Sequence, residues 1–379
     1  MFGARSLRIE TFPFGYYIHI PFCAHRCDYC DFATWSDREH LVDAYVAACV
    51  QQLRTEPSLP VATSVFFGGG TPSLIEASAL VSILDEIPRA SDCETTVECN
   101  PDRVDANKFQ QYAAAGVNRV SLGVQSTAMH VLNFLGRTHE PSNVDRAVAW
   151  ARDAGIVNVN LDVIYGTPGE SIDNWIQTLH DVVALNPTHV SAYALTVEPG
   201  TPLGARVRDQ VSDAPDDDDQ ARKYEIAGEI LGAHGYESYE ISNWSLPGRE
   251  CRHNQLYWSM GEYLAIGCAA HGHRDGERFW NVRAPERFID AVGAGTTPVA
   301  GSERLTAAQR AEESFVLALR MREGCAIAEP AHAAWRCIDE LCTAGLLWHR
   351  DGRVGLASAG RLLANDITSR LVLAGVSTR

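Results

Sequence analysis

The chain has 379 residues, 46% of them hydrophobic, which is enough for one large α/β domain and a smaller second one. Its formal net charge of −16 disfavours binding to nucleic acid or to an anionic membrane surface. No run approaches the ~18 apolar residues of a membrane span, and the start MFGARSLRIETFPFG holds no secretory signal. We therefore expect a cytoplasmic protein without a transmembrane segment, which reaches a membrane only through a partner.

From residue 15 to 202 the sequence alternates short β-rich runs with longer amphipathic runs. Strands are predicted at 16–22, 63–69, 94–100, 118–124, 158–166 and 188–197, and helices at 38–56, 105–116 and 171–185. This alternation indicates parallel β/α units. Six units predict an α/β fold with a partial (β/α)6 barrel, short of the eight strands of a complete TIM barrel. We assign residues 1–235 to this core.

The core ends with residues 212–236, where an Asp run favours a helix N-terminus over a cation site. Two further segments follow. Residues 236–300 are predicted to form a linking segment that contains HNQLYW at 253–258. Residues 301–379 are predicted to form a winged-helix-like α+β module with helices at 307–324, 330–345 and 359–375 and a hairpin at 346–357 around Asp351-Gly352. The net charge favours a packing or protein-contact role for this module.

Three of the eleven cysteines, Cys23, Cys27 and Cys30, form the pattern C-x3-C-x2-C. A reducing cytosol disfavours disulfides, so the cluster indicates a metal site or catalysis. A zinc site would need a fourth ligand, for which His25, Asp28 or His19 is available. A cubane iron–sulfur cluster instead takes three thiolates and leaves one iron open. Because the chain has no second C-x2-C pair, we favour the cluster, with a small chelating molecule on the open iron.

Polar and glycine residues recur where the predicted strands end. Cys23, Gly68–Gly70, Glu98, Gln125 and Asp162 occupy such positions on successive strands. Any one of them would be an ordinary loop residue, but the carboxyl ends of parallel strands share one edge, where cofactor sites form. The glycines of GGGTPS also let the backbone approach a ligand closely. The sequence therefore predicts a cofactor site at one mouth of the barrel.

Six ordered segments resemble the radical S-adenosylmethionine (SAM) family and, within it, the oxygen-independent coproporphyrinogen III oxidases. They are YIHIPFCAHRCDYCDF, GGGTP, ECNP, SLGVQS, LNFLGRTH and NLDVIYGTPGE, in a resemblance that covers about residues 15–375. The resemblance implies a [4Fe–4S] cluster on the three cysteines, with the amino and carboxylate groups of SAM on its open iron. In that family the reduced cluster cleaves SAM to a 5′-deoxyadenosyl radical.

The resemblance also implies roles for individual residues. The first SAM would be contacted by Tyr17, Gly69 and Glu98. In the enzyme members, a second SAM is contacted by residues that match Gly70, Thr71, Gln125, Arg137 and Asp162. Arg137 has a physical reason for such a role, because a guanidinium pairs with a carboxylate through two parallel hydrogen bonds.

Two departures separate this chain from the enzyme members. They carry a fourth cysteine where this chain has Phe32, and a long N-terminal arm where this chain begins about fifteen residues before YYIHIPFC. Together with HNQLYW, these departures resemble a heme-chaperone branch of the family. The branch implies that heme is bound and passed to acceptor hemoproteins, among which membrane-bound respiratory enzymes are candidates. We keep radical decarboxylation of coproporphyrinogen III as the alternative function and a homodimer as a compatible state.

His253 of the HNQLYW segment is the predicted heme ligand. A neutral imidazole binds heme iron, and the neighbouring Tyr257 and Trp258 can cover an apolar macrocycle. Cys251 is a rival ligand two residues away. The segment GCAAHGH offers further rivals, Cys268, His271 and His273, although a Gly/Ala-rich packing turn is the preferred interpretation there.

Overall fold

The structure is a computed structural model that describes residues 13–329 and 331–378. Most of the N-terminal stretch predicted to lack a secretory signal, residues 1–12, lies outside the described residues, as does the first residue of the helix predicted at 330–345. Among the described residues, no helix combines the length and apolar character needed to span a membrane.

Six parallel strands form the centre of the molecule and pair in chain order. They are β1 (Phe14–Ile20), β2 (Ala62–Gly69), β3 (Arg89–Cys99), β4 (Arg119–Gln125), β5 (Asn158–Tyr165) and β6 (His189–Ala194). All six predicted strands are present with shifted ends. The predicted α/β class and its parallel core are confirmed.

Helices follow the strands, and most of them pack against the main apolar core of the sheet. They are α1 (Val42–Thr55), α2 (Ala77–Leu84), α3 (Ala106–Ala114), α4 (Met129–Phe134), α5 (Pro141–Asp153), α6 (Ile172–Ala184), α7 (Pro202–Arg208) and α8 (Asp217–Ala233). Local signals explain two starts. Ser171 and Asn174 form a capping box at α6, and the Asp216 side chain accepts from the Asp219 N–H at α8.

Residues 237–304 extend the same sheet at both edges. Their strands are β7 (Glu237–Ser238), β8 (Asn243–Ser245), β9 (Glu262–Ile266), β10 (His271–Arg274), β11 (Glu277–Asn281) and β12 (Val299–Arg304), with helices α9 (Arg252–Trp258) and α10 (Pro285–Gly293) between them. The twelve-stranded order is β12-β11-β10-β9-β1-β2-β3-β4-β5-β6-β8-β7. The segment boundaries predicted at 235 and 300 stay predictions. One sheet contains strands on both sides of residue 235, and its strand β12 spans residue 300.

The C-terminal module has its own small sheet and its own core. Its elements are α11 (Ala307–Leu319), β13 (Cys325–Ala326), α12 (His332–Thr343), β14 (Leu347–Arg350), β15 (Arg353–Leu356), α13 (Ser358–Arg361) and α14 (Ala364–Leu373). Phe315, Leu319, Ile338 and Ile367 are buried together in this core. The predicted hairpin turn is Asp351-Gly352, and both residues have positive φ, as a tight hairpin turn requires.

Alternation along β1 explains how the sheet separates core from site. Tyr16, Ile18 and Ile20 are fully buried in the main apolar core. Tyr17 and His19 point to the other face, because successive side chains of a strand alternate, and both line a cavity of about 870 Å³. The same strand therefore supports the fold with one face and the site with the other.

Candidate functional site

The cysteine loop, residues 21–38, follows β1 and is tied to the barrel by backbone hydrogen bonds. The Cys23 N–H donates to the Trp35 carbonyl over 3.0 Å, and the Trp35 N–H donates to the Pro21 carbonyl over 2.8 Å. Farther along, the Asp28 N–H donates to the Leu135 carbonyl over 3.2 Å. The loop is thus held at its base and at its middle, so its three thiols have defined positions.

Hydrogen-bond donors lie beside two of the three sulfur atoms. The Thr71 hydroxyl is 3.6 Å from Cys23 Sγ, and Arg137 Nη1 is 3.5 Å from Cys27 Sγ. Burial raises the pKa of the Cys23 and Cys30 thiols, while the Thr71 hydrogen bond opposes that rise at Cys23. Donors to sulfur stabilise thiolates and cluster sulfurs alike. This donor set fits an iron–sulfur cluster.

Two of the three candidates for a fourth zinc ligand are engaged elsewhere. The Asp28 carboxylate pairs with Arg206 at 2.5 Å. His19 Nε2 donates to the Ala33 carbonyl over 2.9 Å, which leaves Nδ1 to accept from the Tyr17 hydroxyl over 3.1 Å. In the part of the chain that the structure describes, no three His, Cys, Asp or Glu side chains converge on one metal ion. A cubane places each thiolate on a separate iron, so it needs no such convergence.

The glycine segment after β2 packs directly against the cysteine loop. The Gly70 N–H donates to the Ile20 carbonyl over 2.8 Å. A Cβ at Gly70 would lie 2.7 Å from the Phe22 carbonyl oxygen and 3.0 Å from Cys23 Sγ. Gly69 has a φ of 112°, and a Cβ there would lie 2.5 Å from the His19 ring. These glycines therefore serve the close packing of the loop, besides any approach to a ligand.

Two carboxyl groups, Glu98 and Asp162, lie on β3 and β5, the two strands that flank β4. Glu98 Oε2 accepts from the Gly69 N–H over 3.1 Å, and burial, assisted by the charge of Asp162, raises the pKa of Glu98 to about 8. Asp162 accepts from the Ser121 hydroxyl over 2.7 Å and from the Asn160 amide over 2.8 Å. Burial raises the pKa of Asp162 against these hydrogen bonds. Both groups line one cavity of about 220 Å³ inside the barrel.

Gln125 and Arg137 lie where β4 ends, close to the cysteine loop. Gln125 is the last residue of β4 and has a φ of 65°. Arg137 Nη2 donates to the Gly123 carbonyl over 2.7 Å, while its other terminal nitrogen reaches Cys27. The structure thus groups Gly70, Thr71 and Arg137 around the sulfurs, and Tyr17, Gly69 and Glu98 around the larger cavity described next.

A cavity of about 870 Å³ opens beside the cysteine loop. Its lining comes from five parts of the chain: the loop itself, residues of β1–β3, the end of α9 with the turn after it, the segment β9–β11, and α11 of the C-terminal module. Aromatic side chains dominate, with Phe32, Tyr257, Trp258, Tyr263 and Trp280 among them. Cavities of this size with mainly apolar walls and a few polar groups are typical sites for cofactor-sized ligands.

One face of the β10–β11 hairpin forms a wall of this cavity. In its register His271 pairs with Trp280, and His273 pairs with Arg278. All four line the cavity, as the two-residue period of a strand requires. Trp280 stacks on His271, with ring centroids 6.0 Å apart. The opposite face carries the Gly272–Phe279 pair, in which the ring covers the glycine.

His253 lies in a second cavity of about 220 Å³, inside the barrel, which Asp162 also lines. Its ring is fully buried; Nδ1 lies 2.9 Å from the Ser64 hydroxyl and Nε2 lies 2.8 Å from the Tyr257 hydroxyl. Burial lowers the pKa of His253 to about 3, so the ring is neutral. Iron ligation by His253 stays a prediction, and in this conformation it would cost one of the two hydrogen bonds.

Sequence reasoning missed the aromatic and cationic side chains of the wall. Tyr263, Arg278, Trp280 and Arg283 line the larger cavity but belong to no motif. The signal was present in HGHRDGERFW, where Asp275-Gly276 marks a tight hairpin with alternating side chains on each arm. Reading that alternation would have placed the two histidines and the tryptophan on one face.

Comparison with known proteins identifies the family. The radical SAM superfamily matches residues 17–182. Heme chaperone HemW of Mycobacterium tuberculosis is 40% identical over 371 residues, which is 95% of this chain and 95% of that protein. The chain belongs to the HemW family. HemW of Bacillus subtilis, another member, is 33% identical over 93% of this chain and 97% of its own length. The resemblance to the radical SAM family and its heme-chaperone branch is confirmed.

A solved structure extends the HemW comparison to the fold. Coproporphyrinogen III oxidase (HemN) from Escherichia coli, a radical SAM enzyme, superimposes with a TM-score of 0.82 over 96% of this chain and 91% of that chain. The sequence identity is 19%, so the likeness shows a shared fold and no more. The shared fold includes the C-terminal module as well as the barrel.

Proposed function

We propose that this HemW-family chain is a heme chaperone, which binds heme and transfers it to acceptor hemoproteins. The observation that carries the proposal is the aromatic cavity of about 870 Å³ beside the cysteine loop. A heme needs apolar faces for its macrocycle, a nitrogen ligand for iron and cations for its propionates. The lining offers Trp258 and Trp280, two histidines on β10, and the guanidinium groups of Arg278 and Arg283. The 40% identity to HemW of M. tuberculosis supports the same function.

We propose further that Cys23, Cys27 and Cys30 hold a [4Fe–4S] cluster with an exchangeable SAM. Membership of the radical SAM superfamily supports both cofactors. When bound, the cluster supplies one-electron chemistry and an open iron for SAM. The chain's own part is to hold the thiolates and to donate hydrogen bonds to sulfur from Thr71 and Arg137.

Other residues are proposed to position SAM. Tyr17, Gly69 and Glu98 line the cavity next to the loop, and an ionised Glu98 would accept from an amine or from ribose hydroxyls. Contacts to a second SAM are proposed for Gly70, Thr71, Gln125, Arg137 and Asp162. The polar lining of the smaller cavity around Asp162 supports a polar ligand there.

The proposed protein partners follow from the proposed transfer of heme. Acceptor hemoproteins receive the heme, and membrane-bound respiratory enzymes are proposed among them. The acidic net charge supports a cytoplasmic location in which an acceptor, rather than anionic lipid, brings the chain to the membrane. A homodimer is proposed only as a state compatible with this chain.

The alternative function is oxidation of coproporphyrinogen III. Retained Gln125, Arg137 and Asp162 favour it, because they match residues of the enzyme members. A cavity lined by aromatic rings suits either tetrapyrrole. Phe32 opposes it, since the enzymes carry a cysteine at that position.

The test uses one anaerobically reconstituted sample for both functions. We expect iron and sulfide near four per chain, a Soret shift on titration with ferric heme, and transfer of that heme to an apo-hemoprotein. Trp280→Ala should weaken heme binding about tenfold, because one aromatic face is lost. Trp335→Ala, on the outer surface of the C-terminal module, is the matched control. Vinyl product from coproporphyrinogen III with SAM and a reductant would overturn the chaperone proposal in favour of the alternative.

A further inference from the structure

His273 on β10 has an unusual pattern of hydrogen bonding. Its Nδ1 lies 3.0 Å from the Gly261 carbonyl oxygen, and a carbonyl can only accept, so Nδ1 carries the proton. Nε2 therefore holds a lone pair. The residue is only 8% exposed, and its Nε2 is buried without a hydrogen-bond partner among the described residues. A buried acceptor left without a donor costs free energy unless a ligand satisfies it.

The other imidazoles that line the two cavities differ in this respect. Both nitrogens of His253 are occupied by Ser64 and Tyr257, and both nitrogens of His19 by Ala33 and Tyr17. Both nitrogens of His189 are likewise occupied, by Asn160 and Tyr239. His271 is exposed and stacks on Trp280. Metal-bound histidines usually donate their second N–H to a backbone carbonyl or carboxylate, which fixes the tautomer and the ring orientation. Among these histidines, His273 has that arrangement.

The surroundings of His273 suit a heme. Its register partners on the two neighbouring strands are Tyr263 and Arg278, and both line the larger cavity. Arg278 already pairs with Glu303 and Glu313. Arg283 also lines the cavity and has no carboxylate partner within residues 13–329 and 331–378.

We propose that Nε2 of His273 is the protein ligand of the heme iron, and that Arg283 receives a heme propionate. This inference rests on the proposed heme-chaperone function and names the ligand within its cavity. The Nε2 lone pair forms the iron–nitrogen bond, while Nδ1 keeps its proton and donates it in a hydrogen bond to the Gly261 carbonyl. No proton moves and the oxidation state of iron does not change. The acidic groups of the lining, Asp31, Glu98 and Glu313, favour placing the propionates toward Arg283.

The experiment titrates ferric heme into the full chain and records the Soret band and the electron paramagnetic resonance spectrum. His273→Ala should shift the Soret maximum and weaken binding at least tenfold, and added imidazole should restore the wild-type spectrum. His273→Cys should give a thiolate-ligated heme spectrum, a signal that an unfolded variant would not produce. His234→Ala removes an exposed histidine at the end of α8 and is the matched control.

The outcomes separate the two proposals. If the wild-type chain binds no heme, the proposed function fails. If it binds heme and His273→Ala keeps the wild-type spectrum and affinity, the His273 assignment is overturned while the chaperone function stands. Loss of the iron ligand only in His253→Ala would likewise overturn it in favour of the HNQLYW histidine. An Arg283→Gln variant that binds heme as tightly as the wild type would overturn the propionate assignment.

Discussion

Glu98 shows how one residue's position controls its charge. Burial and the charge of Asp162 raise its pKa to about 8, so near neutral pH the folded chain retains a proton that the unfolded chain has released. By linkage, such a group lowers the free energy of unfolding as pH rises from its unfolded pKa to its folded pKa. Glu98 therefore lowers the free energy of unfolding at neutral pH, and it places a carboxyl group at the cavity.

We expect Glu98→Gln to stabilise the cluster-free chain relative to wild type. The difference should be small at pH 5, grow by at most about 1.4 kcal/mol per pH unit, and level off near pH 8. Urea unfolding of both proteins from pH 5 to pH 9 measures it. A difference that does not vary with pH would contradict the raised pKa.

Gly70 allows the glycine segment to pack on the cysteine loop. A Cβ there would lie 2.7 Å from the Phe22 carbonyl oxygen and 3.0 Å from Cys23 Sγ, so Gly70→Ala must displace the loop. We expect less than half of the wild-type iron and sulfide per chain after reconstitution, measured by colorimetric assay. The control is Gly228→Ala in α8, where nothing lies within 4 Å and the helix should gain up to about 1 kcal/mol.

At the scale of single residues, the sequence predicted features whose residues lie close together in the chain. Cys23, Cys27 and Cys30 form a motif within eight positions, and the structure places donors beside two of their sulfurs. The pairing of His253 with Ser64 joins residues 189 positions apart, and no local pattern reports it. The unpartnered Nε2 of His273 could not be predicted from the sequence either, because the tautomer of the ring depends on the hydrogen bond from Nδ1 to the Gly261 carbonyl.

At the scale of elements, a buried ion pair joins α8 to the loop after β5. Lys223 is fully buried, and its Nζ lies 3.1 Å from Glu170 Oε2 and 2.7 Å from Asp219 Oδ2. Burial raises the pKa of Glu170, and the ammonium group opposes that rise. The lysine therefore compensates a carboxylate that would otherwise be left alone inside the protein.

We expect Lys223→Met to lower the free energy of unfolding by about 3–5 kcal/mol, because the Glu170 carboxylate loses its partner. The neighbouring Arg222→Met breaks the exposed pair with Glu225 and should cost about 0.5 kcal/mol or less. Denaturant unfolding compares the two. Adding Glu170→Gln to Lys223→Met should recover part of the loss, and no recovery would argue against an electrostatic cause.

The order of the six central strands could be predicted from the sequence, whereas the strands at the edges of the sheet could not. Alternating periodicity is a local signal, so β1–β6 could be read from the sequence in chain order. The pairing of β9 with β1 joins Phe14 to Glu262, and short strands such as β7 and β8 carry too little pattern to detect. The segment β9–β11, on the β1 side of the sheet, forms the wall of the larger cavity, which explains why its residues were missed.

At the scale of the whole molecule, the larger cavity is lined by residues of both the barrel and the C-terminal module. Its lining includes Glu313 and Leu317 of α11, which belongs to the C-terminal module, together with barrel residues such as Tyr17. The ion pair between Arg278 and Glu313 crosses the same boundary at 2.9 Å. A ligand in this cavity would therefore contact both parts of the chain at once.

We expect heme to slow amide hydrogen exchange in β10, β11 and α11, because these elements form the walls of the cavity. Helices α3 and α12 contribute no residue to the lining and should exchange at unchanged rates. Mass spectrometry of the chain with and without ferric heme measures both. Protection confined to α12 and α14 would place the heme on the module surface instead.

The pairing of β1 also has a consequence for the order of assembly during synthesis. One side of β1 joins β2, whose residues follow within about fifty positions, whereas the other side joins β9, some 250 positions later. Contacts that are near in sequence close first, since short loops cost less entropy. We therefore expect the cysteine loop and the glycine segment to meet on the ribosome while residues 262–317 are still unmade. The proposed cluster site would then form before the proposed heme cavity.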